Sequence, residues 1–541
     1  MILRGQIVDI VARKIFKGIV FIENGIIQNI LADSSVEEDQ YIFPGLVDAH
    51  IHVESSMLIP SEFARLASRH GTVATVSDPH EIANVLGVKG VQFMIENGKK
   101  VPFKFYFGAP SCVPATTFET SGASLNSEEV EHLLSLKEIK YLSEMMNFPG
   151  VLNDDPEVWA KMRAAQKHGK PIDGHAPGLK GEAADKYVKA GISTDHECFT
   201  IEEALDKIKS GMYVQIREGS AAKNYESLSS LIDSHPSHIM LCSDDRHPND
   251  LERQHMNALV KRALKDGYDL MNIMQACILN PVQHYQLEVG LLQEGDAADL
   301  MIVDNLEDFN VLKTMVDGEI IAENGETLIA SFEEPAVNLF YTNQLAVQDL
   351  KIKSQTQDIR VMQALDGELI TPTIIEKAKI VDGDIVSNPE NDILKILVLN
   401  RYQKAKPAIG FIKGFGFKSG AIASSVAHDS HNIVAVGVSD EDLVKAVNLV
   451  NDAKGGVSWV NDGQEEILPL AVAGIMSNKD AFEVATKYDL MDHKAKSLGS
   501  SLNAPYMTLS FMALLVIPEL KLSDKGLFDG KTFNMTTLEV N

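Results

Sequence analysis

The sequence predicts an α/β chain built around a (β/α)8 barrel of the TIM type. Three observations carry this. Eight strand-like runs follow one another within roughly 240 residues, the usual size of such a barrel. Each run ends in polar residues, and six metal-type side chains stand at those ends. The barrel is assigned to residues 43–285. A small β-sheet domain is expected from both of its flanks, residues 1–42 plus 286–335, and a further α/β domain over 340–541. With 541 residues the chain exceeds a single core, because cores stop growing near ~250–300 residues.

The first thirty residues alternate apolar and polar side chains, with Asn24-Gly25 as a hairpin turn, so they read as strands and not as a signal peptide. The barrel strands are then GLVDAHIHV, GTVATVSDPH, FKFYFGAPS, KYLSEMMNF, KPIDGHAPG, GISTDHECF, MYVQIREGS and HIMLCSDDRHP, separated by stretches able to be helical. An open doubly wound sheet would gather its site at one switch point and would not recruit five of eight strands. Residues 288–326 return to strand-length alternation, with turns at Asp317-Gly318 and Asn324-Gly325, and should pair with the N-terminal strands. In the last region KGFGFKSGAIASSVAHDSHNIVAVGVS, residues 413–439, reads as strand, Gly-rich turn, strand.

Composition narrows the function. A net charge of −27 argues against nucleic acid or an anionic membrane as partner and suits a small neutral or cationic substrate. No apolar run approaches the ~18–20 residues needed to span a bilayer. The four cysteines, Cys112, Cys198, Cys242 and Cys277, lack CxxC spacing, which suggests free thiols in a reducing compartment; a cytoplasmic location is expected.

The six metal-type residues are His50 and His52 in DAHIHVESS, Glu144 in YLSEMMNFPG, His175 in IDGHAPG, His196 in STDHECF and Asp244 in MLCSDDRHP. Imidazoles two residues apart on a strand point the same way, and a carboxylate can join two ions. Converging at the barrel mouth, His50, His52 and Asp244 would hold one divalent ion, His175 and His196 a second, and Glu144 would bridge them. Such a pair lowers the pKa of bound water and supplies a nucleophile for attack on an sp² carbon, with Asp244 moving the proton. Asp244 is taken as the ligand of the Asp244-Asp245 pair, with Asp245 behind it or pairing with Arg246. Asp78, His80 and Glu81 in SDPHE could cap a helix or act on substrate. In the functional reading Glu81 or His80 protonates a ring nitrogen, and a dry pocket raises the Glu81 pKa for that task. Arg217, in IREGS, could touch substrate or form a surface ion pair. His428 and His431, in AHDSH, could reach a site, but with no second metal-type set nearby they read as structural. His52-Val53-Glu54 matches the H-x-E half of the zinc nucleoside-deaminase signature, but the P-C-x-x-C half is missing.

Taken together, PGLVDAHIHVESSM, TVSDPHEIANVLG, LSEMMNFPGVLNDD, IDGHAPGL, TDHECFT, IREGSAAKN and LCSDDRHPNDL resemble the bacterial adenine deaminases of the amidohydrolase superfamily, and SVAHDSHNIVAVG looks like that family's C-terminal domain. The resemblance implies a barrel of amidohydrolase type and hydrolysis of adenine to hypoxanthine and ammonia in purine salvage. It implies attack of a bridging hydroxide on C6 and a centre of two divalent ions, manganese ahead of iron and zinc last. Adenine is the expected partner, and a homo-oligomer the expected state. The alternatives are a cyclic amidase of the dihydroorotase or hydantoinase type, which Glu144 in place of a carboxylated lysine disfavours, and an inactive scaffold, which should have lost ligands.

Overall fold

A computed structural model describes residues 1–540. The chain opens with β1 (Ile2–Asp9), β2 (Lys14–Glu23), β3 (Ile26–Ala32) and β4 (Tyr41–Pro44). Asn24 and Gly25 both take positive φ, 51° and 80°, the backbone that a two-residue hairpin needs to match strand twist. Eight parallel barrel strands follow: β5 (Leu46–Ile51), β6 (Thr72–Ser77), β7 (Lys104–Ala109), β8 (Ile139–Met145), β9 (Ile172–Gly174), β10 (Thr194–Asp195), β11 (Tyr213–Arg217) and β12 (Ile239–Cys242). They correspond to the eight runs read from the sequence. Pairing is continuous from β5 to β9 and from β10 to β12. Single bridges, Ile172 with Ile192 and Ile51 with Asp244, join the two arcs into a ring.

β13 (Leu300–Val303), β14 (Val311–Val316), β15 (Glu319–Glu323) and β16 (Glu326–Thr327) then complete a sheet in the order β16-β15-β14-β13-β4-β1-β2-β3. β4 is its seam, since Ile42 pairs with Ile7 on one side and Ile302 on the other. The Asp317-Gly318 turn packs on the first hairpin so closely that a Cβ at Gly25 would lie 2.5 Å from the Asp317 carbonyl oxygen. Glycine at that turn is therefore a packing requirement as well as a conformational one.

The C-terminal region is an eight-stranded sheet whose central strands include Leu394–Leu399, Ile433–Gly437 and Ala421–Ser424. Helix Asp440–Ala453 buries Leu443, Ala446, Val447 and Val450 on one face of it. The sequence-based expectation needs one correction here. The Gly-rich stretch 414–420 precedes the pair of strands, and the link between Ala421–Ser424 and Ile433–Gly437 is the AHDSH segment itself. Local hydrogen bonds shape that loop: Ser425 Oγ donates to the Gly474 carbonyl at 2.6 Å, and His431 N–H to the Ala427 carbonyl at 2.7 Å. One apolar core runs from the barrel into this region, with Met57 and Leu58 on one side and Ile475 and Met476 on the other. Arg65 pairs with Asp480 at 2.6 Å, and Ala481 N–H donates to Glu62 at 2.8 Å. The C-terminal region is thus packed against the barrel mouth.

Candidate active site

All six predicted ligands sit at the C-terminal ends of barrel strands, the edge where barrel chemistry is assembled. His50 lies in β5 and His52 just past it; Glu144 ends β8; His175 and His196 follow β9 and β10; Asp244 follows β12. Every one of them is buried. Glu144 divides its oxygens between two groups: Oε1 lies 3.4 Å from His52 Nε2, and Oε2 lies 2.7 Å from His175 Nδ1 and 3.2 Å from His196 Nε2. Asp244 Oδ1 lies 3.5 Å from His50 Nε2 and 3.4 Å from His52 Nε2. The His50 and His196 rings stack with centroids 4.1 Å apart.

Burial alone would raise both carboxyls. The His175 and His196 imidazoles hold Glu144 well below the usual range, and the Arg217 guanidinium does the same for Asp244. Both are therefore anionic donors at neutral pH. Among the described residues neither His50 nitrogen, nor His175 Nε2, nor His196 Nδ1 has a hydrogen-bond partner. Buried imidazole nitrogens without partners, set against anionic oxygens and no thiolate, are the donor set of a divalent cation. Ligand-type atoms of His50, His196 and Asp244, and of Glu144, His175 and His196, cluster within 4.8 Å in each group. His52 Nδ1 lies 3.2 Å from the Asp78 carbonyl, which fixes the ring with Nε2 toward the cluster.

The SDPHE segment starts a helix and also brings His80 to the cluster around Glu144. Asp78 Oδ1 accepts from the His80 N–H at 3.1 Å, shaping the turn that starts helix His80–Leu86. Its Oδ2 lies 3.2 Å from His80 Nδ1, which is also 3.4 Å from Glu144 Oε1. Burial would lower the His80 pKa, but Asp78 raises it well above the ordinary value.

Four expectations change. His428 and His431, read first as structural, are the pair that reaches the site. Both contact the Glu81 carboxylate, one at each oxygen, because the AHDSH loop is delivered to the barrel mouth. For the same reason Glu81 is not a carboxyl raised by a dry pocket: burial pushes it up, but the two imidazoles hold it well below the usual range. The Arg217 ion pair lies inside the site and not on the surface. The side chain is fully buried, donating to Asp244 Oδ2 at 2.7 Å and to Glu197. Asp245 does not pair with Arg246; it accepts from Ser55 Oγ at 2.5 Å, while Arg246 reaches the Glu218 carbonyl at 3.1 Å. The strand has ended at Cys242 and Asp244 has φ 56°, so a turn and not strand alternation sets the directions of Asp245 and Arg246.

Glu197, Asp429, Leu369, Phe511 and Leu514, which sequence reasoning missed, line the same pocket. Glu197 carried a signal, an acid directly after the predicted ligand His196. The two leucines and the phenylalanine carried none, being ordinary apolar residues in apolar stretches.

Residues 41–321 match the amidohydrolase family, and residues 368–534 match the adenine deaminase C-terminal domain. A protein named adenine deaminase from Methanosarcina mazei is 53% identical over 547 residues, covering 99% of this chain and 98% of its own. One of the same name from a Sulfurovum species is 54% identical over 535 residues, covering 99% of each. The chain belongs to the adenine deaminase family. All six metal-type residues fall inside the amidohydrolase match. His428, Asp429, Leu369, Phe511 and Leu514 fall inside the adenine deaminase C-terminal match, so the pocket is made jointly by the two. No helix of the described residues is long and apolar enough to cross a membrane.

Proposed function

We propose that the protein hydrolyses adenine to hypoxanthine and ammonia, in cytoplasmic purine salvage, with two divalent ions. The observation that carries this reading is Glu144, whose two oxygens address two separate sets of imidazoles. His50, His52 and Asp244 would hold one ion, His175 and His196 the other, with Glu144 shared. Manganese is preferred to iron, and zinc comes last. Such a pair supplies, when bound, an acidified water as nucleophile at neutral pH.

The chain's own residues then manage protons and position. Asp244 stays anionic because Arg217 holds its Oδ2, leaving Oδ1 to accept a proton. Attack at C6 of adenine builds negative charge on N1, which a neighbouring acid must neutralise. Glu81 alone is too acidic for that, so the proton is held between Glu81 Oε1 and His428 Nδ1. His80 stands beside it, its Nε2 3.6 Å from Glu81 Oε1. Four buried, unpaired cysteines suit a reducing compartment.

The test is ammonia release by protein loaded separately with manganese, iron or zinc, offered adenine, guanine, cytosine and dihydroorotate. Release from adenine alone, fastest with manganese, is expected. Hydrolysis of dihydroorotate with adenine untouched would replace this reading by the cyclic amidase.

A further inference from the structure

The pocket has a second wall, contributed by the C-terminal region, and it carries a polar group with nothing to bind. Asp429 lines the pocket and is only 4% exposed. Its Oδ2 has no hydrogen-bond partner among the described residues. Its Oδ1 lies 3.7 Å from His80 Nε2, across the imidazole ring from the contact that His80 Nδ1 makes with Glu144. A buried carboxylate oxygen without a donor is costly, and such orphans in a pocket are met by a ligand.

The surroundings say what kind of ligand. Leu369, Phe511 and Leu514 make the adjoining wall apolar, and the Phe511 ring stacks on His428 at 5.0 Å and 23°. Lys521, fully buried, ties this wall together by donating to the Leu369 carbonyl at 2.8 Å and the Phe511 carbonyl at 3.0 Å. Flat apolar surfaces beside one bare carboxylate accept a planar heterocycle that presents an N–H. With the amine-bearing carbon turned to the barrel ligands, the opposite edge of adenine, which carries N3 and the N9–H, faces the C-terminal wall.

We propose that Asp429 is a specificity-determining residue that accepts the ring N–H of a free base and thereby excludes bases substituted at that nitrogen. This rests on the reading of the site as a deaminase of adenine. A nucleoside or N9-alkyl base has no such proton and would leave the carboxylate buried and unpaired. Sites built around a hydrogen bond reject analogues that lack it far more strongly than apolar pockets reject a missing methylene.

The experiment compares adenine with 9-methyladenine on fully metal-loaded wild type, Asp429→Asn and Asp429→Ala, with metal content and circular dichroism recorded for each. A charge-assisted hydrogen bond of ordinary strength predicts that KM for adenine rises about tenfold in the asparagine variant and about 100-fold in the alanine variant, with kcat little changed. The kcat/KM for 9-methyladenine should rise in the alanine variant, where no carboxylate is left buried and unpaired, so the preference for the free base collapses. Unchanged adenine kinetics, or a loss that falls equally on both bases or on kcat, would overturn the assignment, the last pattern being that of a residue acting through His80. Wild type that releases no ammonia from adenine overturns the deaminase reading as well, whereas active wild type with an unaffected Asp429→Ala overturns only this inference.

Discussion

On the barrel side of the pocket, Glu144 and Asp244 are ringed by five imidazoles and a guanidinium. On the C-terminal side, Leu369, Phe511 and Leu514 are apolar, and Asp429 Oδ2 has no partner. The barrel wall is fixed by charge. Removing any member leaves another buried and uncompensated, a change that typically costs ~3–5 kcal/mol. The C-terminal wall is fixed by packing and by Lys521, and it has spare capacity for a ligand. The cavity between them is small, about 30 Å³. Under the proposed function, chemistry belongs to the first wall and choice of substrate to the second.

The largest effects should follow from damage to the charged wall. Asp244→Asn is expected to lower kcat roughly 10²–10⁴-fold, and further if metal is lost. Glu144→Gln should lower metal content and activity together. Steady-state kinetics with metal analysis checks both. Full turnover at normal stoichiometry in the Glu144 variant would remove that residue from the centre, and Asp245→Asn as the crippled protein would reverse the assignment of the pair.

Glu81 sits where the two walls meet and should behave as an intermediate case. Glu81→Gln is expected to keep both ions and to bind adenine, while kcat falls about 10²-fold. A variant that loses metal would place Glu81 among the ligands and blur the distinction between the walls.

A smaller effect should come from the apolar wall. Phe511→Leu should raise KM for adenine about tenfold with kcat nearly unchanged, since a uniform contact has been trimmed. A fall in kcat larger than that of Glu81→Gln would break the division of labour.

The smallest effect is on stability. Burial lowers the Lys521 pKa from 10.5 to about 7. Between those values the unfolded chain binds the extra proton, so this residue makes stability rise with pH. The contribution is complete above about 10.5 and is lost as pH falls toward about 7. Denaturation across pH 7–9 should show a slope steeper in wild type than in Lys521→Met by up to about 1.4 kcal/mol per pH unit. Parallel slopes would mean that the amine is not buried as described.

Much of the barrel wall is legible in the amino-acid sequence. His50 and His52 share a strand, and each other ligand ends a run whose alternation marks it as one, so period-two geometry and the rule that barrel sites form at strand ends place them together. Arg217 is visible as a strand-end residue, but its burial is not, because a surface pair and an internal one have the same local sequence. Glu81 is visible as a candidate, but its protonation is not, because that depends on which charges face it.

Local sequence thus suffices for the fold class, for the sheet shared by the two flanks, and for the six residues whose directions follow from the strands they end. The opposite wall is a product of long-range packing. Glu81 and His428 stand 347 positions apart, and their contact depends on how the C-terminal sheet docks on the barrel. Local periodicity fixes where a side chain points within its own element. Which distant element it then meets is set by the packing of a shared apolar core, and no short stretch of sequence encodes that.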